Sequence, residues 1–268
     1  MPEVHTSIGT STRVLGVASG KGGVGKSSVT VNLALALAAR GHKVAVLDAD
    51  VYGYSIPKML GVTEEPDQVG GLVQPPEAHG IRCMSVGFMV ESDEIPVMWR
   101  GPMLHKVLEE FLTRVDWGDP DYLLFDMPPG TGDVALSMNT YLPHAELLVV
   151  TTPQPAAERV AQRSASMAAK VNTPVLGVIE NMSWFTGDDG RRYELFGSGG
   201  GAALATKLGV PLIAQVPFVT ALRAGGDVGA PIVLTDPGSE VAKVFADIAA
   251  WVEAKGPKRR FHPELTIR

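Results

Sequence analysis

The stretch that decides the fold runs from Gly20 to Ser27 and reads G-K-G-G-V-G-K-S. It follows a short apolar run that predicts a strand, Val14–Ala18, and it precedes a helix predicted over Ser27–Arg40. A glycine-rich turn that joins a strand to a helix and ends in Lys-Ser is typical of nucleoside triphosphate-binding loops. Its glycines let backbone N–H groups point at phosphate oxygens, and the helix N-terminus adds partial positive charge.

Each polar side chain of this loop has a predicted task. Lys26 brings a full positive charge to the β- and γ-phosphates, and the Ser27 hydroxyl is a ligand for Mg²⁺. We therefore expect ATP and Mg²⁺ to bind together at this site. The loop residues predicted to bind ATP are Gly20, Lys21, Gly22, Gly23, Val24, Gly25, Lys26, Ser27 and Ser28.

The same glycines also satisfy a dinucleotide-binding fingerprint. Gly20, Gly22 and Gly25 give G-x-G-x-x-G, and Asp48 ends the next predicted strand, where that fold places an acid for the ribose. Two features disfavour this alternative. The fingerprint does not require Lys-Ser after its last glycine, and a second carboxylate, Asp126, has no task in a dehydrogenase. A glycine turn without any ligand is the remaining alternative.

Short apolar runs alternate with helical patterns along the rest of the chain. Because the runs are continuously apolar, they predict strands buried on both faces of a mostly parallel sheet, with helices flanking both faces in an α/β fold. The further predicted strands are Val44–Leu47, Ile81–Val86, Tyr122–Phe125, Leu147–Val150, Val175–Ile179 and Leu212–Val216. The further predicted helices are Pro102–Val115, Ala156–Val171, Ser198–Leu208 and Ser239–Ala254.

The length and composition predict one domain. The 268 residues suit a single P-loop ATPase domain over residues 1–254, followed by a basic tail over 255–268 that we expect to be disordered. Two polar, glycine-rich segments interrupt the strand–helix rhythm: Gly61–Gly80 predicts a surface excursion, and Trp184–Ser198 predicts a loop or hairpin.

Charge and hydropathy exclude several classes of function. The net charge of −6 argues against a general nucleic-acid binder. The chain contains no apolar run long enough to span a bilayer, so we expect no stable membrane association. Residues 1–12 are polar and give no sign of a secretory leader, and the single cysteine, Cys83, has no disulfide partner in the chain. These features favour a cytoplasmic location.

A carboxylate is predicted beside the phosphate loop. Asp126 ends the strand Tyr122–Phe125, and the carboxyl ends of parallel strands share the sheet edge where ligands bind. We therefore expect Asp126 to bind Mg²⁺ or one of its waters. The turn P-P-G-T-G-D follows, and its Gly130 can bring a backbone N–H close to the γ-phosphate.

Four stretches together resemble the Mrp/NBP35 (ApbC-like) family of iron–sulfur cluster carrier ATPases. The first is the phosphate loop, whose Lys21 directly after the first glycine resembles the deviant, two-lysine Walker A loop shared with the Min and Par ATPases. The others are D-A-D-V-Y-G-Y-S-I-P from Asp48, D-M-P-P-G-T-G-D from Asp126 and G-V-I-E-N-M-S-W-F from Gly177.

The resemblance implies roles for particular residues. In such a family the chain is a homodimer in which Lys21 reaches the nucleotide of the partner subunit. Asp50 then positions Mg²⁺ and the attacking water, with Asp48 behind it, and Asn181 contacts the adenine base. The loop from Gln215 to Phe218, including Pro217, packs along the base. The implied catalytic residues are Lys21, Lys26 and Asp50, and the implied Mg²⁺ ligands are Ser27, Asp50 and Asp126.

The sequence departs from the family where a cluster would bind. The family typically has a C-x-x-C pair after N-M-S, and two pairs across a dimer hold a [4Fe–4S] cluster. Here the stretch Phe185–Arg192 contains no cysteine, and a dimer of this chain has only two cysteines, both Cys83. Asp188 and Asp189 are hard donors and poor substitutes for thiolates. No iron–sulfur ligand is identified, and Cys83 is interpreted as a buried strand residue.

These patterns lead to one expected function and one alternative. The resemblance implies a dimeric, slow, Mg²⁺-dependent ATPase that acts in iron–sulfur cluster assembly or in transfer to apoproteins. A Min- or Par-like switch that binds a membrane or a protein partner, without a cluster, is the alternative. Pro257 and Pro263 disfavour the C-terminal amphipathic helix that a Min-type switch places on membranes.

Overall fold

The computed structural model describes residues 8–9, 11–51, 53–90, 101–129, 140–154 and 173–256, with backbone only for 101 and 102. The main sheet contains β1 (Arg13–Ser19), β2 (Val44–Asp48), β5 (Glu77–Ala78), β6 (Ile81–Ser85), β7 (Tyr122–Asp126), β8 (Glu146–Thr151), β9 (Val175–Asn181) and β12 (Leu212–Val216). Two separate hairpins are β3 (Asp67–Val69) with β4 (Leu72–Gln74), and β10 (Phe185–Thr186) with β11 (Arg192–Tyr193). The helices described are α1 (Lys26–Ala39), α2 (Ile56–Leu60), α3 (Gly101–Arg114), α4 (Gly200–Leu208), α5 (Thr220–Asp227), α6 (Ile232–Thr235) and α7 (Glu240–Lys255).

The strand order of the main sheet is β12-β9-β8-β1-β7-β2-β6-β5. Every neighbouring pair is parallel except β5 with β6, which is antiparallel. Because β1 lies inside the sheet with strands on both sides, the loop that follows it opens at the middle of the carboxyl edge. This order confirms the predicted mostly parallel α/β sheet.

Alternate side chains of the central strands enter two different cores. In β1, Leu15 and Val17 join the core that α1 and α7 cover, while Val14 and Ala18 join the core on the α3 side. A smaller cluster packs α4 against β8 and β9. The strands are therefore buried on both faces, as their continuously apolar sequences predict.

The predicted strands are confirmed, with ends that shift by at most two residues. The helix patterns at α1, α3, α4 and α7 are confirmed too, and α7 continues to Lys255, one residue into the predicted tail. The helix predicted over Ala156–Val171 and residues 257–268 of the predicted tail lie outside the described residues. The sequence did not predict β3, β4, β5, α2, α5 and α6, which are too short to show a clear hydrophobic period.

The strand register places the carboxylates at one edge. Asp48, the last residue of β2, pairs in register with Asp126 of β7 and with Ser85 of β6. Asp126 also pairs with Val17 of β1, two residues before that strand ends. The acids therefore lie next to the loop that begins at Gly20, as their positions at strand ends predict.

Candidate functional site

The turn from β1 into α1 adopts a backbone that needs glycine. Gly23 and Gly25 have φ angles of 76° and 78°, which side chains with a Cβ rarely adopt. A Cβ on Gly25 would also lie 2.3 Å from the amide nitrogen of Asn181. The first helical bond runs from Val29 N–H to the Gly25 carbonyl. The turn therefore leaves the first backbone N–H groups of α1 open, as an anion-binding loop requires.

A cavity of about 380 Å³ opens above this turn. The backbone and side chains of the turn form its floor, and loops after β2 and β7 form its walls. Its lining includes Ser19, Lys21, Gly22, Gly23, Val24, Gly25, Lys26, Ser27, Ser28, Asp50, Gly53, Ser55, Met59 and Pro129. Of the loop residues predicted to bind ATP, those from Lys21 to Ser28 line this cavity, whereas Gly20 does not line it.

Asp126 organises the polar side chains at the start of α1. Its Oδ2 accepts hydrogen bonds of 2.6 Å from Lys26 Nζ and from the Ser27 hydroxyl. Its Oδ1 accepts a 2.7 Å bond from the Thr30 hydroxyl. Lys26 Nζ also lies 3.3 Å from Asp50 Oδ2. The structure thus brings together Lys26, Ser27, Asp50 and Asp126, which the sequence singled out.

Lys26 and Asp48 are buried, and their surroundings shift the pKa of both side chains. Burial acts to lower the pKa of Lys26, but the carboxylates of Asp126 and Asp50 outweigh it and leave the pKa raised. Burial, together with the nearby charge of Asp126, raises the pKa of Asp48 to about 7. Lys26 therefore stays charged beside the phosphate loop at neutral pH.

Asp48 holds the loop that carries Asp50. Its Oδ1 accepts from the backbone N–H of Asp50 at 3.1 Å, and its Oδ2 accepts from the N–H groups of Ser55 and Ile56 at 3.0 and 3.2 Å. The Ser85 hydroxyl donates a further 3.1 Å bond to the same oxygen. Asp48 is fully buried and lies behind Asp50, which agrees with the supporting position that the resemblance implies.

Asn181 joins the end of β9 to the phosphate loop. Its Nδ2 donates a 2.9 Å hydrogen bond to the Val24 carbonyl, while its buried Oδ1 has no hydrogen-bond partner among the described residues. Pro217 is buried beside this strand end, where Ser183 N–H donates to the Val216 carbonyl. An orphaned buried acceptor is a feature that a nucleobase amine can satisfy.

Lys21 contacts its own chain, and Gly130 lies outside the described residues. Lys21 Nζ donates a hydrogen bond to Oε1 of Gln154 in the same chain, so its side chain is held beside its own loop. Gly130, predicted to approach the γ-phosphate, lies outside the described residues. Its role stays a prediction.

The hairpin formed by β10 and β11 occupies the stretch in which the resemblance stated above would place a cysteine pair. Tyr193 hydroxyl donates a 2.7 Å bond to Asp189 Oδ2, and this bond, followed by the Arg191 N–H, lowers the pKa of Asp189. The Arg192 guanidinium lies 4.1 Å from the ring centroid of Trp184. The predicted hairpin is confirmed, and it is closed by polar and aromatic contacts.

Cys83 lies in the middle of β6 and is fully buried, as predicted. Burial raises the pKa of its thiol well above the usual value, which disfavours the thiolate that iron requires. Within the described ranges, no three His, Cys, Asp or Glu side chains are grouped to hold a metal ion.

The described residues also contain features that the sequence did not single out. Thr30 lies one turn after Ser27 on α1 and binds Asp126, a contact that its i+4 helical spacing from Lys26 makes possible. Ser85 contacts Asp48 and Gln154 contacts Lys21, and each partner belongs to or follows a different strand, so no local motif marks Ser85 or Gln154. No helix in the described part of the chain is long and apolar enough to cross a membrane.

Residues 10–253 match a family described as ParA: NUBPL iron-transfer P-loop NTPase. The chain belongs to this family. The resemblance inferred from the sequence is thereby confirmed, as is the P-loop NTPase fold class. The description of the family names a P-loop NTPase, and hydrolysis of ATP by this chain stays a prediction.

Curated relatives of this chain are named as iron-sulfur cluster carrier or transfer proteins. The chain is 52% identical over 244 residues to the iron-sulfur cluster carrier protein of Mycobacterium tuberculosis, a match that covers 89% of this chain and 64% of the relative. It is 46% identical to the iron-sulfur cluster transfer protein NUBPL of Mus musculus, covering 89% of this chain and 76% of the relative. The chain thus spans just under two thirds of the length of the mycobacterial relative.

One solved structure shares the fold of this chain. The nucleotide-binding protein of Archaeoglobus fulgidus, in complex with ADP, superposes with a TM-score of 0.74 at 35% identity. The match covers 89% of this chain and 93% of that one. The family has a nucleotide-binding member with the same fold over nearly its whole length.

Proposed function

We propose that this chain is an ATP-hydrolysing homodimer that acts in iron–sulfur cluster assembly or in cluster transfer to apoproteins. The observation that carries the proposal is the hydrogen-bonded group of Lys26, Ser27 and Asp126 at the start of α1, in which Lys26 and Ser27 line the cavity over the phosphate loop. The family and the names of the relatives point to clusters rather than to membranes or chromosomes.

The phosphate loop binds ATP through its backbone and through Lys26. The N–H groups at the start of α1 and the Lys26 ammonium together neutralise the phosphate oxygens. The unpartnered Oδ1 of Asn181 accepts from the exocyclic amine of adenine, and Pro217 packs beside the base.

The residues present suit Mg²⁺. The Ser27 hydroxyl and the carboxylates of Asp50 and Asp126 are hard oxygen donors at one edge of the sheet, which is the chemistry that Mg²⁺ selects. When bound, Mg²⁺ supplies charge neutralisation at the β- and γ-phosphates. Asp126 also keeps Lys26 and Thr30 in place, so it orders the site before nucleotide arrives.

Hydrolysis requires a positioned water and a second cation. Asp50 lies beside Lys26 and orients the attacking water through its carboxylate. Lys21 leaves its own chain, reaches the phosphates of the partner subunit and stabilises the charge of the transferring phosphoryl group. Each site is complete only when two subunits meet.

The cluster itself is cargo, and this chain lacks the usual thiolates for it. The Phe185–Arg192 segment contains no cysteine, and Cys83 is buried in the sheet. A dimer therefore cannot supply four cysteine ligands. We propose that ATP-dependent closure of the dimer acts on a cluster whose thiolates come from a partner protein or an apoprotein client.

The test measures activation of a purified [4Fe–4S] apoprotein with iron, sulfide and a thiol under anaerobic conditions, with and without the chain and Mg-ATP. The proposal predicts faster activation that requires ATP and that is lost in Lys26→Ala. If the chain hydrolyses ATP but does not change activation at any nucleotide state, the cluster function is wrong. ATP-dependent binding to anionic vesicles in that case would favour the Min-like alternative.

A further inference from the structure

Gln154 lies beside Lys21 because of the strand register. Ser19, the last residue of β1, pairs with Val150 near the end of β8. Lys21 follows the first strand by two residues and Gln154 follows the second by three, so both lie at the same point of the sheet edge. There, Lys21 Nζ donates to the amide oxygen of Gln154.

Two features restrict the backbone at Gln154. Pro153 and Pro155 flank it, and a following proline restricts Gln154 to extended backbone conformations. The backbone also lies against the first residue of α4, since a Cβ on Gly200 would approach the Pro153 carbonyl oxygen to 2.6 Å. The Ser19 hydroxyl donates to the Lys21 carbonyl at 3.0 Å, which holds the other partner of the contact.

The acceptor is a neutral amide. Among the residues that the structure describes, no carboxylate lies within ion-pairing distance of Lys21. A carboxylate would neutralise the ammonium and hold it strongly, whereas an amide oxygen orients the ammonium and leaves its charge intact. This contact therefore suits a lysine that must later exchange its acceptor for a phosphate oxygen.

We propose that Gln154 is a cis latch for Lys21, a positioning residue that holds the lysine within its own subunit until ATP-loaded dimers close. The proposal rests on the proposed function, since Lys21 must act in the partner subunit. On closure, Lys21 gives up the Gln154 amide and gains the phosphates across the interface. In separated subunits the latch holds the Lys21 ammonium, which stays charged, beside its own loop.

The twofold symmetry of the dimer amplifies the effect. A hydrogen bond of this kind shifts the equilibrium between bound and released Lys21 toward the bound form by about fivefold in each subunit. Both latches open when one dimer forms, so loss of both changes the dimer dissociation constant by the square, roughly 25-fold. The rate at saturating protein concentration does not change, because the closed dimer no longer contains the contact.

The experiment measures ATP hydrolysis as a function of protein concentration, together with sedimentation velocity in a non-hydrolysable ATP analogue and Mg²⁺. Gln154→Ala is expected to reach half-maximal specific activity at roughly 25-fold lower protein concentration, with an unchanged maximal rate. Gln154→Glu, which adds an ion pair, is expected to require a higher concentration than wild type. Gln68→Ala, an exposed glutamine in the β3–β4 hairpin, is the matched control and should follow wild type.

Two results would overturn the latch. An unchanged half-maximal concentration in Gln154→Ala would mean that the contact has no effect on closure. A lower maximal rate without a concentration shift would mean that Gln154 stays on Lys21 in the dimer and orients it there. Failure of the proposed function looks different: wild-type specific activity would not depend on protein concentration, and Lys21→Ala would hydrolyse ATP at the full rate.

Discussion

The phosphate loop and the β10–β11 hairpin both follow carboxyl ends of strands in the same sheet, but they are built differently. In the loop, Lys26 and Asp126 are buried and joined by a 2.6 Å bond, with further bonds to Ser27 and Thr30. In the hairpin, the Arg192 side chain is 60% exposed and pairs with Glu240, whose side chain is 51% exposed. The contacts of the phosphate loop are therefore part of the core, while the contacts of the hairpin lie at the surface.

This difference has an energetic consequence. Removing one partner of a buried ion pair leaves an uncompensated charge in the protein interior, which is costly. Removing one partner of an exposed pair changes little, because water and salt already screen it. Single substitutions in the hairpin should therefore leave the fold intact, whereas single substitutions among the buried charges of the loop should destabilise it.

The largest expected effect is that of Lys26→Ala. The substitution removes the cation that serves the phosphates and leaves Asp126 and Asp50 buried without it. We expect a loss of at least about 10³-fold in kcat and a fall in the free energy of unfolding of about 3–5 kcal/mol. Steady-state hydrolysis and urea unfolding measure the two effects, with Lys207→Ala on the exposed face of α4 as control. If Lys26→Ala hydrolysed ATP at the wild-type rate, the phosphate loop would not be the site of hydrolysis.

The second largest expected effect is the contribution of Asp48 to the pH dependence of the free energy of unfolding. Its folded-state pKa of about 7 lies above the ordinary value of 3.8, so between these values the folded protein holds a proton that the unfolded chain has lost. The free energy of unfolding therefore falls as pH rises from about 4 to about 7, by roughly 2–4 kcal/mol from this group.

Asp48→Asn should remove this part of the pH dependence in nucleotide-free protein. Urea unfolding at several pH values measures it, and exposed Asp67→Asn is the matched control. Parallel pH profiles for Asp48→Asn and wild type would show that Asp48 ionises normally in the fold.

Gly25→Ala tests the close approach of the loop to β9. The new Cβ would meet Asn181 Nδ2 at 2.3 Å and would force a side chain onto a φ of 78°. We expect a destabilisation of about 1–3 kcal/mol together with weaker ATP binding, measured by unfolding and by calorimetric titration. Gly41→Ala has a positive φ of 92° but no atom within 4 Å, so the difference between the two variants isolates the clash. Equal effects would mean that the contact with Asn181 is unimportant.

The smallest effect is expected on the hairpin side. Arg192→Ala removes an exposed ion pair with Glu240 and the stacking on Trp184. We expect a loss of at most about 1 kcal/mol in the free energy of unfolding, with ATP hydrolysis unchanged. A large fall in kcat would show that the hairpin communicates with the nucleotide site and would weaken the contrast between the two regions.

The sequence predicted the phosphate loop and the acids beside it for reasons that can be traced to particular residues. The glycines and Lys-Ser of the loop form a local motif, and Asp48 and Asp126 follow continuously apolar runs, so both could be placed at one sheet edge. The contacts of Thr30, Ser85 and Gln154 could not be predicted, because they depend on strand order and register rather than on local sequence. Short helices such as α2 were not predicted, because five residues are too few to show a helical hydrophobic period.

A mixing experiment with two inactive variants decides whether Lys21 acts in the site of the partner subunit. Lys21→Ala lacks the lysine that acts in the partner, and Lys26→Gln lacks the phosphate-loop cation while keeping a donor for Asp126. In an equal mixture, half of the dimers are mixed and each contains one complete site of two. The account therefore predicts about a quarter of the wild-type rate of ATP hydrolysis. A mixture no more active than either variant alone would contradict it, since both lysines would then have to come from the same chain.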